Sequence, residues 1–170
     1  GKAILLIGAR QVGKSTLFNQ LIQGKDEEVL SLNCDEPEVK SMLTEINTSE
    51  LKMLIGNNRI LMIDEAQRVS SIGLTLKLII DNFPEVQLLV KGSSSFQLQD
   101  ELDEPLTGRK YEYHLYPIST AELMESEGLL TVKQTLESRL IFGSYPDVLN
   151  HSDEAKEILM NIAGSCLYKD

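Results

Sequence analysis

Residues 3–15 read Ala3-Ile4-Leu5-Leu6-Ile7-Gly8-Ala9-Arg10-Gln11-Val12-Gly13-Lys14-Ser15. The first five residues are apolar and predict a buried β-strand, and the remainder has the form GxxxxGK[ST]. Between a strand and a helix, this spacing is typical of a loop that holds a nucleoside triphosphate. Its glycines let the backbone curl so that N–H groups face phosphate oxygens, and the following helix adds the positive end of its dipole. The alternative is an ordinary glycine-rich turn before a helix.

Each residue type in this loop has a chemical role. Lys14 brings a positive charge to the β- and γ-phosphates, so we assign it a catalytic role as well as a binding role. The hydroxyl of Ser15 can ligate Mg²⁺. We expect the whole segment to hold the nucleotide, with contacts from Gly8, Ala9, Arg10, Gln11, Val12, Gly13, Lys14, Ser15 and Thr16.

A second apolar stretch, residues 60–63, ends in the acids Asp64 and Glu65. A buried strand there would deliver Asp64 to the carboxyl edge of a sheet, where it can hold Mg²⁺ directly or through water. Glu65 can accept a proton from an attacking water or orient that water. Two solvent-facing acids at a strand end are the alternative. The Asp-Glu pair favours an ATPase, and the sequence contains no Asn-Lys-x-Asp motif that would read guanine.

Apolar periodicity places these motifs in an α/β fold. Short apolar strands alternate with amphipathic helices up to about residue 116, and helices broken by glycine and proline follow. This order predicts a three-layer α/β/α P-loop NTPase with a five-stranded, mainly parallel sheet and C-terminal helices. We assign residues 1–118 to the ATPase core and residues 119–170 to a helical extension of the same domain.

Two further positions carry alternatives. A hydroxyl of Ser93 or Ser94, after the fourth predicted strand, could touch the γ-phosphate or the attacking water, and we assign this role to Ser94; helix capping is the alternative. Arg109, before the fifth strand, could reach the γ-phosphate of a neighbouring subunit and stabilise charge in the transition state. A surface cation at a strand start is the alternative.

Composition limits the classes of partner. The chain has 170 residues and a net charge of −10, which argues against direct nucleic-acid binding because that depends on basic contacts to phosphate. The acidic cluster Asp100-Glu101-Leu102-Asp103-Glu104 is either a solvated helix face or a docking site for a basic partner. No apolar run is long enough to span a membrane. Two cysteines without metal-ligand spacing favour a reduced, cytoplasmic setting, and the ends suggest a piece of a longer protein.

Six segments, in this order, carry a resemblance to a known family. They begin at Gly8, Ile63, Lys91, Pro105, His114 and Gly143 and read GARQVGKS, IDEAQR, KGSSSF, PLTGRK, HLYPIS and GSYPDV. The chain resembles the prokaryotic AAA+-superfamily ATPases of poorly known role, in which the ATPase core usually precedes a C-terminal domain of unknown function.

The resemblance implies ATP and Mg²⁺ at residues 8–16, with Asp64 and Glu65 as metal-associated acid and catalytic carboxylate. It also implies a sensor hydroxyl near Ser93 or Ser94 and an arginine finger at Arg109. Lys91 stands where the family commonly has threonine, and Ser144 where it commonly has glycine.

Three functions remain open from the sequence. The first is an ATPase that drives or gates an attached domain or a protein partner, including a second copy of itself. The second is a nucleotide-gated interaction module with negligible turnover. The third is a DNA-associated motor, against which the net charge argues.

Overall fold

The structure, a computed structural model, describes residues 1–25, 28–93, 102 and 105–167. The predicted helix after Gly92, the acidic residues 100, 101, 103 and 104, and Ser94 lie outside this part of the chain. In the described residues, no helix is both long and apolar enough to cross a membrane.

Five strands form one sheet, as the sequence predicts. They are β1 (Ala3–Gly8), β2 (Val29–Asn33), β3 (Ile60–Asp64), β4 (Gln87–Gly92) and β5 (Lys110–Leu115). Their order across the sheet is β2-β3-β4-β1-β5, and the pairs β2–β3, β3–β4 and β1–β4 are parallel. Because β4 lies between β1 and β3, the residues that end β4 lie between the ends of the two motif-bearing strands.

Helices flank the sheet in the alternation that the periodicity predicts. They are α1 (Lys14–Ile22), α2 (Pro37–Leu43), α3 (Thr48–Ile55) and α4 (Ile72–Asn82). Along β3 the consecutive residues Leu61, Met62 and Ile63 are all buried. Since neighbouring side chains on a strand point to opposite faces, both faces of the sheet are covered. The three-layer α/β/α prediction is confirmed.

Local chemistry fixes where the helices begin. Pro37 stands in the first turn of α2, where its missing N–H has no helical partner to lose. A capping box begins α3, in which Asn47 accepts from the backbone of Glu50 and the Glu50 side chain accepts from the backbone N–H of Asn47. Along α4 the fully buried Ile72, Leu76 and Ile79 form the predicted apolar stripe.

After β5 the chain is helical: α5 (Thr120–Gln134), α6 (Leu136–Phe142), α7 (Pro146–Asn150) and α8 (Ala155–Leu167). The predicted breaks are present, since Gly128 interrupts α5 with φ +84° and Gly143 ends α6 with φ +76°. Arg139 on α6 contacts the parts of α5 on both sides of Gly128, because its guanidinium donates to Val132 O at 2.7 Å and to Thr120 Oγ1 at 3.3 Å.

The contacts divide the chain into two compact units. One contains residues 1–8 and 14–114, with the sheet and α1–α4, and the other contains residues 9–13 and 115–170. Whether residues 119–170 extend the same domain stays a prediction.

Candidate functional site

The loop between β1 and α1 has the backbone that its glycines allow. Gly13 has φ +97°, a left-handed conformation that costs a glycine little, and an added Cβ there would meet no atom within 4 Å. The requirement at Gly13 is therefore conformational rather than steric. Gln11 also has a left-handed φ of +61°, which is uncommon for a residue with a Cβ. Sequence reasoning did not predict this second left-handed residue.

The side chain of Lys14 contacts the first residue of the phosphate loop. Lys14 Nζ donates a hydrogen bond of 2.7 Å to the carbonyl oxygen of Gly8, six residues earlier. Lys14 begins α1 and Gly8 ends β1, so this contact joins the two elements that carry the loop. The ammonium group therefore lies at the carboxyl end of β1, the edge where parallel α/β sheets bind ligands.

Asp64 and Glu65 differ in backbone conformation at the end of β3. Asp64 is the last residue of the strand, and the backbone N–H of Glu65 donates to Asp64 Oδ1 at 2.9 Å. Glu65 adopts a left-handed backbone conformation with φ +52°, so the extended backbone of β3 ends before it. Such strain in a residue with a Cβ is common at functional sites.

Gln67 holds the carboxylate of Glu65. Its Nε2 donates to Glu65 Oε2 at 2.6 Å, and its Oε1 accepts from the backbone N–H of Ser93 at 3.4 Å. One amide therefore joins the acid after β3 to the backbone after β4. The sequence motifs do not predict this role for Gln67, and its spacing two residues after Glu65 is the available signal.

Lys91 joins the phosphate loop to the acid at the end of β3, a role that the sequence motifs do not predict. Its Nζ lies 2.8 Å from Asp64 Oδ2 and donates a hydrogen bond of 2.9 Å to Ser15 Oγ. Only 4% of its side chain is exposed. The register explains the placement, because Lys91 pairs with Leu6 on β1 and the preceding Val90 pairs with Ile63 on β3. The signal was a lysine at the end of the apolar run Leu88-Leu89-Val90, since a buried charge requires a partner.

The oxygens predicted to hold Mg²⁺ are thus already bound to an ammonium group. A serine hydroxyl and an aspartate carboxylate are suitable Mg²⁺ ligands by type. In the present arrangement, however, Ser15 Oγ and Asp64 Oδ2 both contact Lys91 Nζ, and a metal ion cannot take the same place. The arrangement therefore does not fit a divalent ion at these two oxygens. Among the described residues there is also no group of three or more His, Cys, Asp or Glu side chains that could hold a metal.

Arg109 lies at the other edge of the sheet. Its carbonyl oxygen accepts from the N–H of Ala3, the first residue of β1, and its Nε lies 2.9 Å from Asp81 Oδ1. A strand of six residues spans about 17 Å, so β1 separates the Arg109 backbone from Gly8. The backbone of Arg109 therefore lies about one strand length from Gly8, and its side chain pairs with Asp81.

Cys34, which follows β2, is hydrogen-bonded to the backbone of Asp64. Its backbone N–H donates to the carbonyl oxygen of Asp64 at 3.0 Å, and its side chain is buried. Burial, and then the negative charges of Asp64, Asp35 and Glu65, raise the pKa of the Cys34 thiol to about 12. The thiol is therefore neutral at physiological pH and acts as a small apolar residue, as its isolated position in the sequence predicts.

A mainly parallel sheet with a GxxxxGK[ST] loop after β1 and an acidic pair at the end of β3 defines the class of P-loop NTPases. Residues 1–124 match the family described as the AAA domain, and the chain belongs to that family.

Among solved structures, the fold is similar to that of the Orc1 protein of Aeropyrum pernix in complex with DNA, with a TM-score of 0.53 and 15% sequence identity. The match covers 78% of this chain and 44% of the Orc1 chain, so this chain spans less than half of that protein. No curated protein matches the sequence.

Proposed function

We propose that this AAA domain binds ATP through residues 8–16, hydrolyses it, and uses the nucleotide cycle to drive or gate an attached domain or a protein partner. The observation that carries the proposal is the meeting of Lys14, Ser15 and Asp64 at one edge of the sheet, where Lys14 closes on Gly8 and Lys91 connects Ser15 to Asp64. Lys14 supplies charge for the phosphates, and Glu65 orients the attacking water. Mg²⁺, which the family implies, has to compete with Lys91 for the oxygens of Ser15 and Asp64.

Phosphate release, measured with MgATP at equal protein concentrations, tests the hydrolase. We expect Lys14→Ala and Glu65→Gln each to lower turnover by about 100-fold or more, the size of loss typical for an acid–base or charge-stabilising group. Lys25→Ala and Glu38→Gln remove the same charges at exposed positions and serve as controls. A wild-type rate no higher than that of the two site variants would contradict hydrolysis.

A nucleotide-gated module with negligible turnover is the second candidate, and the position of Lys91 favours it. An ammonium on the two metal-type oxygens suits a site that binds phosphates and does not need a metal for chemistry. Calorimetry separates the two functions: tight ATP binding without phosphate release supports the module, and release that depends on Glu65 supports the enzyme.

We also propose that Arg109 acts between subunits if the domain assembles on ATP. Its position beside Ala3, at the start of β1 and not at the Gly8 end, supports a role toward a neighbour. An Arg109→Ala chain keeps its own loop, and a Lys14→Ala chain keeps its own Arg109, so mixing the two should restore activity that neither has alone. Asp81→Ala controls for loss of the surface ion pair. A strict monomer by size exclusion, with and without a non-hydrolysable ATP analogue, would exclude this role.

The Orc1 structure was solved with DNA, but we propose a protein partner and not nucleic acid for this domain. The net charge of −10 opposes contact with a polyanion. A DNA-binding titration across salt concentrations tests this, and affinity that falls steeply with salt would contradict it.

A further inference from the structure

The place of a divalent cation in this site is filled by a side chain. We propose that the Lys91 ammonium is a built-in cation of the nucleotide site, so that the domain binds ATP without requiring a divalent metal ion. This inference rests on the proposed binding of ATP at residues 8–16.

The geometry around Lys91 Nζ is that of a bridging cation. The ammonium contacts the hydroxyl oxygen of Ser15, in the first turn of α1, and a carboxylate oxygen of Asp64, at the end of β3, at 2.9 and 2.8 Å. These are the two oxygens that the sequence assigns to the metal. An ammonium group has three N–H donors, and its contacts with described residues use two of them, so we assign the third to a phosphate oxygen.

Burial makes this cation a fixed part of the site. The side chain of Lys91 is 4% exposed, and its neighbours Val90 on β4 and Leu6 on β1 are buried. A buried charge interacts strongly with nearby charges because water does not screen it. A neutral residue at position 91 would avoid the cost of burying a charge, so stability alone does not account for a lysine here.

Lys91 and Lys14 together put two positive charges at the edge where the phosphates are expected. Lys14 Nζ is held on the carbonyl of Gly8 and Lys91 Nζ on Ser15 and Asp64. Together these two ammonium groups carry the same total charge as one divalent ion, and Lys91 contributes half of that charge. The competing interpretation is that Lys91 forms a structural ion pair that withdraws when metal-bound nucleotide arrives.

Calorimetric titration of the chain with ATP, once in excess EDTA and once in excess Mg²⁺, distinguishes these interpretations. We expect the wild-type dissociation constants in the two conditions to agree within about threefold. In Lys91→Thr, which removes the ammonium and leaves a hydroxyl, we expect ATP affinity in EDTA to fall by about tenfold or more while affinity in Mg²⁺ is retained. Lys52→Thr, at an exposed position of α3, is the matched control and should behave as wild type.

The wild-type measurement is decisive even if Lys91→Thr folds poorly. A loss of wild-type affinity of about tenfold or more on removal of Mg²⁺ would overturn the inference and leave the proposed function intact. Failure of the wild-type chain to bind ATP in either condition would instead overturn the proposed function. Circular dichroism of Lys91→Thr establishes that its affinities refer to folded protein.

Discussion

The ammonium of Lys91 and the carboxylate of Asp64 form an unequal ion pair. Their Nζ–Oδ2 distance is 2.8 Å, and 4% of the lysine side chain is exposed against 29% of the aspartate side chain. The aspartate can therefore exchange part of this contact for water, whereas the lysine cannot. Removing the aspartate charge should cost more than breaking a surface pair, because it leaves a buried ammonium without its counter-charge.

The first prediction concerns stability without nucleotide. We expect Asp64→Asn to lower the free energy of unfolding by about 3–5 kcal/mol, the cost of leaving one member of a buried pair uncompensated. Asp81→Asn, which breaks the exposed pair with Arg109, should cost about 0–1 kcal/mol. Urea denaturation of both variants at pH 7 measures the difference. Equal losses of stability in the two variants would mean that the buried ammonium of Lys91 does not need the Asp64 charge. Adding Lys91→Met to Asp64→Asn removes the unpaired ammonium and should recover much of the lost free energy of unfolding.

The second prediction concerns Gln67, which we expect to position Glu65. With the 2.6 Å contact to Glu65 removed in Gln67→Ala, the carboxylate can rotate, and turnover should fall by about tenfold or more because water is held less well in line. ATP affinity should stay within about twofold of wild type, since the hydrogen bonds of Gln67 go to Glu65 and to the backbone of Ser93. Steady-state kinetics together with calorimetry separate the two effects. A fall in affinity equal to the fall in turnover would indicate a general structural role instead.

Sequence reasoning found the strands, the flanking helices and the acids at 64 and 65 because these depend on local patterns. Apolar periodicity determines β3 and α4, and a fixed spacing determines the phosphate loop. The contact between Lys91 and Ser15 joins residues 76 positions apart, and it exists only because β4 enters the sheet between β1 and β3. No local pattern encodes that strand order, so the lysine after the apolar run 88–90 could indicate a buried charge but could not identify Ser15 and Asp64 as its partners.

The third prediction concerns the thiol of Cys34. Its pKa is raised to about 12 by burial and by nearby carboxylates, so almost none of it is thiolate at pH 8. In a Cys166→Ser background, which leaves Cys34 as the single cysteine, alkylation at pH 8 should be about a thousandfold slower than in the same variant unfolded in guanidinium. Iodoacetamide labelling followed by mass spectrometry measures both rates. Comparable rates in the two states would show that the thiol is accessible.

The last prediction concerns Glu112 on β5 and the response to acid. A hydrogen bond from Lys110 at 2.9 Å, with the positive charge of that lysine and a contact to His114, lowers the pKa of Glu112 below its ordinary value of 4.5. The folded state therefore favours the ionised carboxylate. Its contribution to stability is full above the unfolded pKa and is lost as pH falls through the lower folded pKa.

Glu112→Gln removes this contribution at every pH. We expect wild type to exceed Glu112→Gln in free energy of unfolding by about 0.5–1 kcal/mol at pH 7, as for a partly exposed pair, and this difference to shrink as pH falls below the ordinary pKa of 4.5. Urea denaturation at pH 7, 5, 4 and 3 measures it, with Glu125→Gln on the exposed surface of α5 as the control for charge. Only the ionised form of Glu112 accepts both of its hydrogen bonds as a carboxylate, so a contribution from its charge has to change with pH. A difference that stays constant with pH would therefore mean that Glu112 contributes through packing and not through its charge.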